Sequence, residues 1–167
     1  MSIKIYSCND SRGLRPMWTA EEMGVSYETE MMPFPPRFLH KEYMDVNILG
    51  TIPYLIDGEV EMTESVAMCQ YLVEKYGPTD LKVNRDEADF HHYLNWLAHS
   101  DATLTFPQTV VLRYTLQEIG VADKAAEGYR RWFVARLKLL NRCNKLCFRR
   151  SNMIVESQIT NVAGVCF

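Results

Sequence analysis

Basic clusters are scarce in this chain. Lysine and arginine come no closer than the pairs Arg130-Arg131 and Arg149-Arg150, and the formal net charge is −3. That argues against a nucleic-acid partner, whose phosphates call for a basic patch or stripe. The two pairs read as solvated helix faces. Long apolar runs are missing too, none approaching the ~20 residues of a membrane span. Met1 to Tyr6 runs straight into a strand, without the basic-then-apolar lead of a secretory signal. Cysteines number five (Cys8, Cys69, Cys143, Cys147, Cys166), an odd count with irregular spacing. This disfavours a disulfide framework and suits a reducing compartment, so the chain is expected in the cytoplasm. Cys143-x-x-x-Cys147 lacks the second half of a zinc site, and His91-His92 and His99 read as surface residues, so no metal is expected.

What is present is ordinary for a globular protein: 47% hydrophobic and 23% charged residues over 167 positions, enough for one or two small domains. Ile3-Lys4-Ile5-Tyr6 reads as a first strand. The polar turn Ser7 to Gly13 leads to a helix through Met17, Trp18, Ala20 and Met23, with Pro16 in its first turn and Gly24 as its stop. Ser26 to Met31 reads as a second strand. Three prolines in Pro33-Phe34-Pro35-Pro36 predict an extended loop, followed by a short irregular helix around Phe38–Tyr43.

Residues 47–72 are the most informative. Leu49-Gly50 turns into Ile52-Pro53 and the apolar strand Tyr54-Leu55-Ile56. Asp57-Gly58 is a hairpin signal, Val60-Glu61-Met62 returns, and Thr63-Glu64-Ser65 opens a helix with Val66, Met68, Cys69, Leu72 and Val73 at helical spacing. Pro53 stands at a strand start, a position that tolerates proline, and the Ile52-Pro53 bond is a candidate for the cis form. Beyond Tyr76, Gly77-Pro78-Thr79-Asp80 opens a linker, residues 77–85. A helical region is expected over 86–167, its first helix starting at Asp86-Glu87. Pro107 is expected to kink or interrupt that helix, with further helical runs over Thr109–Leu116 and from Asp123 to Leu140.

The joint pattern of Ile-Pro, Asp-Gly and Thr-Glu-Ser resembles the glutathione S-transferase family, and Ser-Arg-Gly-Leu-Arg, Pro-Phe-Pro-Pro-Arg and Ala-Thr-Leu-Thr-Phe-Pro-Gln-Thr look like a bacterial branch of it. The resemblance implies an α/β thioredoxin-like N-terminal domain (1–76) followed by an all-α, incomplete C-terminal domain. It also implies glutathione as co-substrate, attack of its thiolate on an apolar electrophile as in detoxification, and a homodimer. Family position implies Ser11 as the donor that stabilises the thiolate; the same serine suits a helix N-cap. Glu64 and Ser65 would grip the γ-glutamyl end, and Ile52, before Pro53, would offer its backbone to the cysteine of glutathione. Arg37, His40 and Lys41 compete to supply the cation for the glycine carboxylate.

Two residues rival Ser11. Cys8-x-x-Ser11 has the spacing of a monothiol glutaredoxin motif, which would make the chain a glutathione-dependent thiol-disulfide reductase, and Asn9 could donate to a thiolate from the same turn. Tyr93, Trp96, Leu97, Ser100, Phe106 and Tyr114 are candidates to line the second-substrate wall, with a helical core as their other reading. The resemblance fades near residue 140. Residues 141–167 carry four basic residues, weak periodicity and the apolar end Ala163 to Phe167, as in a truncated or frame-shifted terminus. A non-catalytic glutathione- or protein-binding module is therefore the other expectation.

Overall fold

The computed structural model describes residues 2–147, which divide into one compact unit up to Lys82 and another from Val83 onward. The first unit runs β1 (Ile3–Ser7), α1 (Leu14–Met23), β2 (Tyr27–Met31), α2 (Pro36–Leu39), a 3₁₀ turn (Lys41–Asp45), β3 (Tyr54–Asp57), β4 (Val60–Met62) and α3 (Ser65–Lys75). The four strands lie in the order β2-β1-β3-β4, with β1 parallel to β2 and antiparallel to β3. This is a thioredoxin-like sheet.

Strand alternation assigns the two faces. Ile3, Ile5 and Leu55 point to one side, where Ala20 of α1 and Met68 and Leu72 of α3 complete a core. Tyr6 and Tyr54 point to the other and meet Met32 and Tyr43. Gly24 ends α1 in the left-handed region (φ +66°), and the Val25 N–H reaches back 2.9 Å to the Ala20 carbonyl.

Local readings shift in three places. Asp57 pairs with Val60, so the tight loop is Gly58-Glu59 rather than Asp57-Gly58, and Asp57 finishes the strand with its carboxylate turned inward. Pro36 opens α2 instead of extending the loop, because proline at the first helical position sacrifices no hydrogen bond. The Ile52–Pro53 bond is cis, and so are Phe34–Pro35 and Gly77–Pro78, which the sequence did not single out.

The second unit is helical: α4 (Phe90–Ala98), α5 (Phe106–Leu112) and α6 (Asp123–Cys147). Asp86-Glu87 precedes α4 rather than starting it, for the Glu87 carboxylate caps Asn84 by accepting its backbone N–H at 2.8 Å. Pro107 does not interrupt the helix; the adjustment lies upstream, in a π-helical segment over His99–Thr105. There the Thr105 hydroxyl donates 3.0 Å to the carbonyl of Ser100, five residues back. A second π-helical stretch, Arg113–Gln117, ends before Gly120 (φ +80°). α6 continues to Cys147, past the point where the resemblance fades. Arg149-Arg150, Cys166 and the apolar end 163–167 lie outside the described residues. No helix among the described residues is long and apolar enough to cross a membrane.

Candidate functional site

The strand register brings three segments to one end of the sheet. Tyr6 pairs with Tyr54, so the turn after β1 lies beside the Ile52-Pro53 entry to β3. Met62 pairs with Leu55, so Thr63-Glu64-Ser65, which follows β4, is at the same end. Ser11, Pro53 and Ser65 are thereby gathered from three loops that lie far apart in sequence. The concavity formed by Glu21, Gly24, Val25, Ser26, Tyr27 and Thr29 lies around the C-terminus of α1 and the start of β2, and holds no candidate residue.

Ser11 is half-buried in the turn before α1. The cap position belongs to Gly13, so Ser11, which the sequence also suited to that role, sits two residues upstream of the N-cap. Its Oγ accepts the Gly13 N–H at 3.1 Å and the Cys8 N–H at 3.4 Å, and lies 3.2 Å from Ser7 Oγ. A hydroxyl has two acceptor lone pairs and one proton. With both lone pairs engaged by backbone N–H groups, Ser11 acts as a donor.

The rivals fare differently. Cys8 is 6% exposed, and burial pushes its thiol above the ordinary cysteine value, with the Ser11 hydroxyl pulling back and Asp10 pushing the same way as burial. A buried thiol held protonated is a poor nucleophile. Asn9 is exposed, next to Asp10 in the left-handed region (φ +56°). Cys69 is buried in the core, and burial drives its thiol up to about 11.

Glu64 occupies the N-cap position of α3, exposed and with its carboxylate making no cap bond. Ser65 is the first helical residue and is buried, but its hydroxyl does not cap the helix. It accepts 2.9 Å from Nη1 of Arg15, a guanidinium only 4% exposed. The N-terminal backbone N–H groups of α3 and this guanidinium are hydrogen-bond donors at the same spot. The sequence reading missed Arg15, since an arginine in an amphipathic helix ordinarily faces water.

The loop before Pro53 is held from below. Tyr43 donates its hydroxyl proton 2.8 Å to the Thr51 carbonyl, and Asn47 donates from Nδ2 to the same carbonyl at 3.0 Å. Gly50 (φ +56°) packs so closely on α2 and the 3₁₀ turn after it that a Cβ there would meet Met44 Sδ at 2.7 Å and Arg37 Cβ at 2.8 Å. Arg37, His40 and Lys41 are all exposed, and the Arg37 guanidinium lies 4.9 Å from the Phe38 ring centroid. Geometry leaves all three available to an anion.

In the helical unit, Tyr93, Leu97 and Ser100 are buried, Trp96 and Tyr114 half-buried, and Phe106 exposed against Tyr129. The Ser100 hydroxyl donates 2.6 Å to the Leu97 carbonyl. Burial makes Ser100 part of the packing rather than of a wall. His99 is not a surface residue: its Nε2 is enclosed without a hydrogen-bond partner, and burial, then Arg136, lowers its pKa.

Comparison with known proteins bears on the fold that carries these residues. Residues 1–74 match the family model of the glutathione S-transferase N-terminal domain. Glutathione S-transferase 3 of Schizosaccharomyces pombe is 31% identical over 102 residues, 61% of this chain and 42% of that protein. Human glutathione S-transferase theta-2B is 40% identical over 99 residues, 54% of this chain and 38% of that protein. The chain thus spans less than half the length of these relatives. A Phanerochaete chrysosporium glutathione transferase solved with oxidized glutathione superposes with a TM-score of 0.82 at 19% identity, covering 98% of this chain and 80% of that one. BphK, a bacterial GST solved as a ternary complex, gives 0.79 at 19% identity, covering 96% and 81%. At such identities the likeness speaks to the fold alone.

Proposed function

The N-terminal domain of this chain belongs to the glutathione S-transferase family, and from that premise we propose that the chain binds glutathione and transfers its thiolate to a small apolar electrophile. The observation that carries the reading is the meeting of Ser11, Ile52-Pro53 and Ser65 at one end of the sheet. Ser65 and the start of α3 receive the γ-glutamyl carboxylate, and the exposed Glu64 faces the ammonium. Ile52 pairs with the ligand through its main chain, and one of Arg37, His40 and Lys41 meets the glycine carboxylate. These assignments set the sulfur over the turn that holds Ser11.

Ser11 then donates its proton to the sulfur. An ordinary thiol, with a pKa near 8.5, is a few per cent ionised at neutral pH, and a donor committed to the anion lowers that value. The thiolate attacks the electrophilic carbon, the C–S bond forms, and the leaving group departs with its electron pair. The protein acts as a homodimer in the cytoplasm, where free thiols such as Cys8 and Cys69 remain reduced.

Thiolate absorbance of bound glutathione, followed against pH, tests the mechanism. Parent protein should ionise the ligand below free glutathione, and Ser11→Ala should move the titration back up. Turnover of a test aryl halide separates transfer from mere binding. Binding without turnover would favour the non-catalytic module. Loss of disulfide reduction in Cys8→Ser but not in Ser11→Ala would favour the reductase, against which the burial of Cys8 already weighs.

A further inference from the structure

Ser7, the last residue of β1, has no part in the scheme above, yet it is fully buried with its Oγ 3.2 Å from Ser11 Oγ. Either hydroxyl could supply the proton of that contact, but Ser7's own proton has another acceptor, which leaves Ser7 Oγ to receive from Ser11. Ser7 passes its own proton on to the Cys8 carbonyl, 3.4 Å away. Gly13 keeps the space for this pair. Its backbone is an ordinary helical one (φ −62°, ψ −23°), so conformational freedom is not what requires glycine there. A Cβ at Gly13 would lie 2.1 Å from Ser7 Oγ, 2.8 Å from Ser7 Cβ and 3.2 Å from Ser11 Oγ.

We propose that Ser7 is a positioning residue for Ser11: it is the resting acceptor of the Ser11 proton, in a seat that Gly13 keeps open, and it yields that proton when a thiolate arrives. This rests on Ser11 being the thiolate donor. Physically, an anionic sulfur competes with a neutral hydroxyl for one proton, and hydrogen bonds to charged acceptors are the stronger ones. The bond to Ser7 must nevertheless be given up, so it sets part of the cost of ionising the ligand. No covalent bond changes; the Ser11 O–H turns from one acceptor to the other.

Three variants test this by thiolate absorbance of bound glutathione against pH, with Ser11→Ala as reference. Ser7→Ala removes the competing acceptor and should lower the bound thiol's pKa by about half a unit, the size of a modest neutral hydrogen bond. Gly13→Ala crowds both hydroxyls and should raise it. The double variant Ser7→Gly/Gly13→Ala removes the obstructing atoms and should return it to the parent value or below. Should Gly13→Ala fail to fold, Ser7→Ala decides alone. An unchanged or raised value in Ser7→Ala overturns the proposal, as does a double variant that titrates like Gly13→Ala. If Ser11→Ala titrates like the parent, the donor assignment itself fails, and that outcome is distinct from failure of the seat.

Discussion

The two ends of the four-stranded sheet are held by opposite means. At the end where β3 finishes, one buried carboxylate gathers its donors: Asp57 Oδ2 accepts from Tyr71 Oη at 2.7 Å, Lys75 Nζ at 2.7 Å and Tyr76 Oη at 2.6 Å. At the end where β3 starts, hydroxyls take part instead: Arg15 Nη1 donates 2.9 Å to Ser65 Oγ, and Ser11 Oγ lies 3.2 Å from Ser7 Oγ. The helix α3 joins the two ends, its first residue at one and its last at the other. Built-in charge satisfaction serves stability at the Asp57 end. At the other, the start of α3 and the Ser11 hydroxyl are where the proposed function brings a carboxylate and a thiolate.

Asp57→Asn should break the contrast most visibly. Loss of the buried anion that three donors share should cost about 2–4 kcal/mol of stability, read by urea unfolding, while glutathione affinity per folded molecule stays within twofold. The acid limb carries the same signature. Burial acts to raise the Asp57 pKa, but its bonds to Lys75, Tyr76 and Tyr71 outweigh that and hold it below the ordinary carboxylate value. A depressed acid gives stability that is full above its unfolded value near 3.9 and is lost as pH falls through the lower folded value. Asp57→Asn should flatten that part of the stability curve; a parallel curve would remove Asp57 from the account.

Ser65→Ala should act the other way, costing less stability than Asp57→Asn and weakening glutathione binding by about 1–3 kcal/mol in calorimetric titration. Equal affinities would dismiss Ser65 as a ligand. Arg15→Met should cost about 1–2 kcal/mol of the same affinity by removing a charge-assisted bond to Ser65. Its effect should largely vanish in the Ser65→Ala background, a non-additivity expected only where the two residues act together. Smallest of all, Cys8→Ser should change aryl-halide turnover less than twofold, since its thiol is buried and held protonated. A tenfold loss would return Cys8 to the centre of the chemistry.

Much of the first unit was legible because its signals are local. Gly24 stops α1, Gly58 turns the hairpin, and the apolar positions of α3 fall on one helical face. The legible part of the site was likewise local: Ser11 in its turn, Ile52-Pro53 at a strand entry, Glu64-Ser65 at a helix start. Arg15 was invisible because its partner lies fifty residues on, and no periodicity announces a buried guanidinium. Ser7 was hidden for a related reason, since a serine at a strand end reads as the first residue of a turn. Tyr43 and Asn47, which clamp the Thr51 carbonyl, look in sequence like any short irregular helix. In the helical unit, the π-helical segments escaped notice because the hydroxyl bonds of Ser100 to the Leu97 carbonyl and of Thr105 to the Ser100 carbonyl leave no mark on the apolar spacing.

The strand order has a consequence for how copies of this chain can meet. β2 and β4 form the rims of the sheet, and both are poor templates for a further strand. β4 is only three residues long, with Glu61 at its middle. β2 carries Glu28 and Glu30, the latter 2.6 Å from Lys4 of the neighbouring strand. Two copies laid rim to rim along β2 would set carboxylates against carboxylates, a device that keeps sheets from growing into fibres. Sheet extension is therefore a poor route for copies of this protein to associate.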